Sequence, residues 1–97
     1  MVQYLQFAAL ADPTRFAVVE RLASGSATIT ELAEPFGITL TGMKKHVSVL
    51  EDAGLVRTQK IGRVRRCELA PYAFEGISAW LQRLDRFAAV VERTKGT

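Results

Sequence analysis

The stretch Thr28–Leu55, TITELAEPFGITLTGMKKHVSVLEDAGL, decides how this chain of 97 residues is read. It opens on Thr28-Ile-Thr-Glu31, the spacing of a capping box, in which the threonine hydroxyl accepts from a free first-turn amide and the glutamate reaches back to the threonine amide. A helix therefore starts here, with Ile29, Leu32, Ala33 and Phe36 facing inward. Pro35 lacks an amide hydrogen and clashes with the preceding turn, so that helix ends or distorts near Glu34. Gly37 supplies a left-handed turn and Thr39 an N-cap, which predicts a second helix over 39–53.

Successive residues of that second helix turn by about 100°. Met43, Val47 and Leu50 then stack inward, while Thr41, Lys44, Lys45 and Ser48 share the outer half. A polar outer face is ordinarily just a solvated one. Here it has no acidic residue in its first three turns, where the helix dipole favours Asp or Glu over Lys, so two lysines there cost stability unless an anion compensates. Gly42 costs roughly 1 kcal/mol relative to Ala in a helix, and is read as permitting close approach to a nucleic-acid backbone. His46, at the edge of the apolar stripe, is read as structural. Two short helices about a glycine turn, the second with a cationic outer face, are the layout of a helix-turn-helix, in which the second helix enters the major groove of DNA.

Outward from that stretch, Gly54 ends the helix and two β-prone runs follow, LVRTQKI (Leu55–Ile61) and VRRCEL (Val64–Leu69), joined at Gly62-Arg63. Glycine at this point supports a tight hairpin. Arg57, Lys60, Arg63, Arg65 and Arg66 make the ribbon too polar for a core hairpin, so it is expected to project as a wing able to reach phosphates or an adjacent minor groove. A charged edge also resists aggregation, but that alone does not call for five cations. From Lys44 to Arg66 seven cations face two carboxylates, a local charge of +5; the net charge is +3, so the remainder carries −2.

Before the decisive stretch, Met1–Ala11 reads as a helix buried on much of its surface. Asp12-Pro13 starts another, Asp as N-cap and Pro at the first helical position, with Val18, Val19, Leu22 and Ala23 inward and Phe16, off that stripe, packed under the first helix or else turned to a partner. After the wing, residues from Pro71 to about Arg93 carry Phe74, Ile77, Leu81, Leu84, Ala88 and Val91 at alternating spacings of three and four, widened by Trp80 and Phe87. The first half of that seam can serve the chain's own core, but a domain of this size cannot bury all of it, so the last helix, from Phe74 and Ile77 onward and together with Val2 and Leu5 of the first, is expected to pair with a second copy. Arg83, Asp85, Arg86 and Glu92 mark its wet side. The fold class is thus mainly α with a small β-hairpin, four helices, a two-stranded wing and a last helix in one domain over 1–97.

Composition narrows the function classes. At 48% hydrophobic residues the chain has material for one core. A single cysteine, Cys67, forms no intramolecular disulfide and no structural zinc site by itself, which suits a reducing cytoplasm; it is read as a small core residue. No apolar run approaches the roughly 20 residues that span a bilayer, and the N-terminus lacks the pattern of a secretory leader. The one histidine has no Cys, Ser or acidic pair at catalytic spacing and no Gly-rich phosphate loop is present, so an enzyme is not indicated and no cofactor is expected.

ALADPTR (Ala9–Arg15), TELAEPFGIT (Thr30–Thr39), KKHVSVLEDAGLV (Lys44–Val56) and IGRVRRCEL (Ile61–Leu69) together resemble the ArsR family of winged helix-turn-helix repressors over nearly the whole chain. The resemblance implies a homodimer built on the first and last helices, double-stranded DNA with an inverted-repeat operator as partner, and repression as the output. It implies base contacts from Thr41, Lys44 and Lys45 within a recognition set of Thr39, Thr41, Gly42, Lys44, Lys45 and Ser48, and wing contacts from Lys60, Arg63, Arg65 and Arg66. Well-known members of the family sense metals through Cys-x-Cys near the third helix or through His and carboxylates on the last; this chain reads ATITELA in the first place and has no His in the second, so no metal site is expected. A small-molecule effector of unknown identity is expected, if anywhere, near the dimer helices. The competing class is a protein-interaction module that uses the same scaffold without sequence-specific DNA binding, marked by partner capture without a DNA footprint.

Overall fold

In the computed structural model the described residues are 2–95, with only the backbone described at 2, 87 and 89–95. The elements run α1 (Val2–Leu10), α2 (Pro13–Leu22), β1 (Ala27–Thr28), α3 (Ile29–Ala33), a 3₁₀ turn (Glu34–Phe36), α4 (Leu40–Asp52), β2 (Val56–Ile61), β3 (Val64–Leu69) and α5 (Glu75–Lys95). Five α-helices and a projecting hairpin make a winged helix-turn-helix. The caps are those the residue types dictate. Asp12 accepts from the Arg15 amide at 3.0 Å at the head of α2, and the Thr28–Glu31 box closes in both directions at 3.1 and 2.9 Å. Pro35 converts the end of α3 to a 3₁₀ turn, and Gly37 leaves it at φ 63°.

The core lies where α2, α3 and α4 meet the base of the sheet. Val18, Leu32, Met43, Leu50, Leu55, Val56 and Cys67 have essentially no exposed surface. Removing any of these side chains leaves a cavity as well as forfeiting its transfer free energy, about 2 to 5 kcal/mol for a leucine cut to alanine. Burial also pushes the Cys67 thiol up to about 11, so it stays protonated among apolar neighbours.

The wing is the expected two-stranded hairpin, but the sheet it belongs to has a further strand that the sequence reading lacks. That sheet has three strands in the order β1-β3-β2, because Ala27 and Thr28 pair antiparallel with Cys67 and Arg66. Two residues are too few to show a period, and Thr28 reads in sequence only as a cap; it does both jobs. β2 and β3 pair from Val56↔Leu69 to Ile61↔Val64, leaving Gly62-Arg63 as a two-residue turn. Positive φ at Gly62 (64°), and not at Arg63, is the type II′ pattern that suits the strand twist.

Other expectations are overturned by packing. α1 is not buried on much of its described surface: Tyr4, Leu5, Phe7 and Ala8 are exposed, and among its described side chains those buried are Ala9 and Gln6. Gln6 Nε2 donates to the Ala73 carbonyl at 3.0 Å, tying α1 to the approach to α5. Ala23 is exposed because α2 ends one residue earlier, and Phe16 projects from α2 rather than under α1. Ile77 is buried in the chain's own core and Phe74 is half-buried against it, so the seam left for another molecule begins at Trp80. From there Trp80, Leu81, Leu84 and Ala88 are exposed. Arg83 is not simply on the wet side: its guanidinium lies 5.6 Å from the Trp80 ring centre, a cation–π distance. The side chains of Val2, Phe87, Val91 and Glu92 lie outside the described residues.

Candidate nucleic-acid interface

The N-terminus of α4 is set by Thr39, whose hydroxyl accepts from the Gly42 amide at 3.0 Å. A Cβ on Gly42 would lie 3.2 Å from that same oxygen, so the glycine has a local reason: it leaves room for the cap. Met43, Val47 and Leu50 anchor the inner face, which holds Thr41, Lys44, Lys45 and Ser48 outward and exposed. His46 is half-buried at the edge of the stripe, its Nδ1 3.9 Å from Asp12 Oδ2, which fits a structural role linking α4 to the head of α2. The Asp12 carboxyl sits below its ordinary value chiefly because it accepts from the Arg15 amide, with the Arg15 and His46 charges helping.

Strand alternation sorts the wing cations by face. The register puts Lys60 opposite Arg65 on the side of Thr58, Cys67 and Val56, which is the side turned to α4. Arg57 and Arg66 point the other way. There Arg57 Nε pairs with Glu68 across the strands, and Arg66 Nη1 donates to Ser26 Oγ at 3.0 Å. The structure therefore does not bring Arg66 into the expected wing set; its partner sits beside β1, a strand invisible in the sequence.

Between α4 and the wing runs an open groove of about 620 Å³. Lys44, Ser48, Lys60, Arg63 and Arg65 line it, together with Glu51, Leu40, Thr28 and Thr30. Thr41 and Lys45 do not line it; they stand on the adjacent strip of α4. Leu40, Thr28 and Thr30 escaped the sequence reading. Leu40 carried a signal, an apolar side chain off the Met43–Val47–Leu50 stripe, whereas Thr28 lies in β1, which pairs with β3, and Thr30 lies just after it in the first turn of α3. Elsewhere among the described residues, no three His, Cys, Asp or Glu side chains gather as a metal site does, and no helix is long and apolar enough to cross a membrane.

Residues 10–59 match the family model described as a helix-turn-helix domain. The chain is 40% identical over 79 residues to the HTH-type transcriptional regulator Rv2034 of Mycobacterium tuberculosis, covering 81% of this chain and 71% of that protein. A crystal structure of an ArsR family transcriptional regulator superposes with a TM-score of 0.83 at 44% identity, over 92% of this chain and 98% of the other. The chain belongs to the ArsR family of winged helix-turn-helix transcriptional regulators. Its fold is shared by a homodimeric winged helix-turn-helix DNA-binding domain from Mycobacterium bovis solved in solution, with a TM-score of 0.72 at 22% identity over 88% of this chain and 79% of that one. Membership makes the protein a transcriptional regulator with a DNA-binding domain, not an enzyme.

Proposed function

We propose that this ArsR family member is a homodimeric repressor that recognises an inverted repeat in double-stranded DNA, in one domain whose first and last helices dimerise. Thr41, Lys44, Lys45 and Ser48 meet base edges in the major groove, while Lys60, Arg63 and Arg65 contact phosphates or the neighbouring minor groove. The observation that carries this is the one-sided placement of cations: Lys44, Lys60, Arg63 and Arg65 line a single groove, and the two wing arginines outside it have partners of their own. Clustered, exposed positive charge facing one groove is what a polyanion neutralises.

The dimer rests on different surfaces. Tyr4, Leu5 and Phe7 on α1 and Trp80, Leu81 and Leu84 on α5 leave large apolar side chains in water, an arrangement stabilised when a second copy covers it. A homodimer is also how the Mycobacterium bovis domain of the same fold occurs. Two-fold symmetry then sets two recognition helices about one DNA turn, roughly 34 Å, apart, matching an inverted repeat. A dimer spanning both half-sites occludes the DNA between them, and repression is the direct consequence.

Selecting duplexes from a random library and measuring their affinity against salt tests the reading. Affinity should fall with a slope of about −0.9 per neutralised phosphate. Lys44→Ala or Lys45→Ala should cost on the order of 1 to 3 kcal/mol on the selected duplex and relax preference at one base pair, whereas Arg63→Ala should weaken every duplex alike. Equal losses on selected and random duplexes for all three variants would remove the base-reading assignment.

A further inference from the structure

Glu51 stands out in the groove by its charge. It lies seven residues after Lys44 and three after Ser48, on the same face of α4, and it lines the groove with Lys44, Lys60, Arg63 and Arg65. On charge alone a carboxylate there opposes binding of a polyanion. Nor is it spent on a cation: among the described residues Glu51 has no ion pair within 4.0 Å. Its Oε2 instead accepts twice from one residue of the wing, from the Thr58 amide at 3.2 Å and from the Thr58 hydroxyl at 2.9 Å. β2 is an edge strand, so the Thr58 amide points away from β3 and has no strand beside it to accept the bond. Two bonds to one oxygen thus tie the end of the recognition helix to the base of the wing.

We propose that Glu51 is a positioning residue for DNA recognition, setting the angle between the recognition helix and the wing through Thr58; the proposal rests on the DNA-binding reading above. The mechanics follow from strand geometry. Thr58 precedes Arg63 by five residues, about 16 Å of extended chain at roughly 3.3 Å per residue. A rotation of about 10° at the base moves the tip by about 3 Å, the length of a hydrogen bond, which takes Arg63 out of register with a phosphate that Lys44 and Ser48 have already located. Held at one angle, helix and wing read one spacing. Released, the wing finds phosphates on any duplex, and the cost of ordering it falls on the specific complex.

The test uses the full chain, with a duplex enriched by the wild-type protein from a random library and a random duplex of equal length. Glu51→Ala and Thr58→Val should each lower the affinity ratio between the two duplexes by about fivefold, the worth of one hydrogen bond, with the salt slope unchanged for Thr58→Val. Glu51→Gln, which keeps an acceptor oxygen, and Thr58→Ser, which keeps the hydroxyl, should retain most of the ratio. In the free protein, exchange of the Thr58 amide with solvent should speed up in Glu51→Ala and not in Glu51→Gln. If Glu51→Gln and Glu51→Ala instead tighten both duplexes alike and Thr58→Val changes nothing, the carboxylate acts only as a charge and the positioning role is wrong while DNA binding stands. A wild-type chain that enriches no duplex overturns the DNA-binding reading, and this proposal with it.

Discussion

α4 and α5 are both amphipathic helices, and the chain treats them in opposite ways. The apolar stripe of α4 disappears into the molecule: Met43 and Leu50 are 0% exposed and Val47 is 3% exposed. That of α5 does so only at its start; beyond Ile77, Trp80, Leu81 and Leu84 stay between 42% and 54% exposed. The difference lies in surroundings rather than periodicity. α4 is enclosed by α1, α2, α3 and β2, so its apolar face is satisfied within one chain and its polar face is presented rigidly outward. Among the described elements α5 has α1 as its main neighbour, and its stripe faces open water. In the function proposed above, one helix carries the reading head and the other the surface through which two heads are joined.

The strongest way to break this contrast is at α5. Leu81→Ala with Leu84→Ala should leave the fold of one chain intact but weaken the dimer by on the order of 4 kcal/mol, about a thousandfold in Kd, since each change occurs twice across a two-fold interface. Sedimentation against concentration checks it, and an unchanged association constant would place the dimer surface elsewhere. The converse change on α4, Leu50→Ala, should cost about 3 kcal/mol of folding stability in denaturant titration, with dimer and DNA affinity lost only as the chain unfolds.

Within the wing the same contrast between free and occupied groups can be sharpened. Arg65→Ala should remove about 0.9 from the salt slope of DNA binding. Arg57→Ala, whose partner is Glu68, should leave that slope unchanged and alter folding stability by less than about 1 kcal/mol, as for other exposed ion pairs. The smallest effect concerns the helix caps. The Glu31 carboxyl is held below its ordinary value by its bond from the Thr28 amide first and the Thr28 hydroxyl next, and Asp12 similarly by the Arg15 amide. Both carboxyls bind protons less readily folded than unfolded, so their stabilisation is complete above about pH 5 and is lost as pH falls through the lowered folded values. Urea midpoints between pH 3 and pH 6 should decline on the acid side, less steeply in Thr28→Ala.

Much of the fold was legible because its signals are local. The Asp12-Pro13 start, the Thr28–Glu31 box, the Pro35 stop, the Gly37 turn, the Thr39 cap and the Met43–Val47–Leu50 stripe each depend on residues within a few positions of one another, where backbone hydrogen bonding and side-chain spacing act directly. The helix-turn-helix follows from those, the hairpin from Gly62-Arg63 between two β-prone runs, and the family resemblance from the order of these segments along the chain. What needed the tertiary structure depends on partners far along the chain. The β1 strand exists because Ala27 and Thr28 lie against Cys67 and Arg66, a contact across some 40 residues that leaves no period in two residues. The division of the wing cations into three that line the groove and two that face away needed the register of β2 on β3 and the places of Glu68 and Ser26. Charge count is a property of composition, but which charges remain available to a ligand is a property of packing. For the same reason the sequence showed that α1 and α5 are apolar, while only the folded chain decided that Ile77 is spent on its own core and Leu5, Trp80, Leu81 and Leu84 are not.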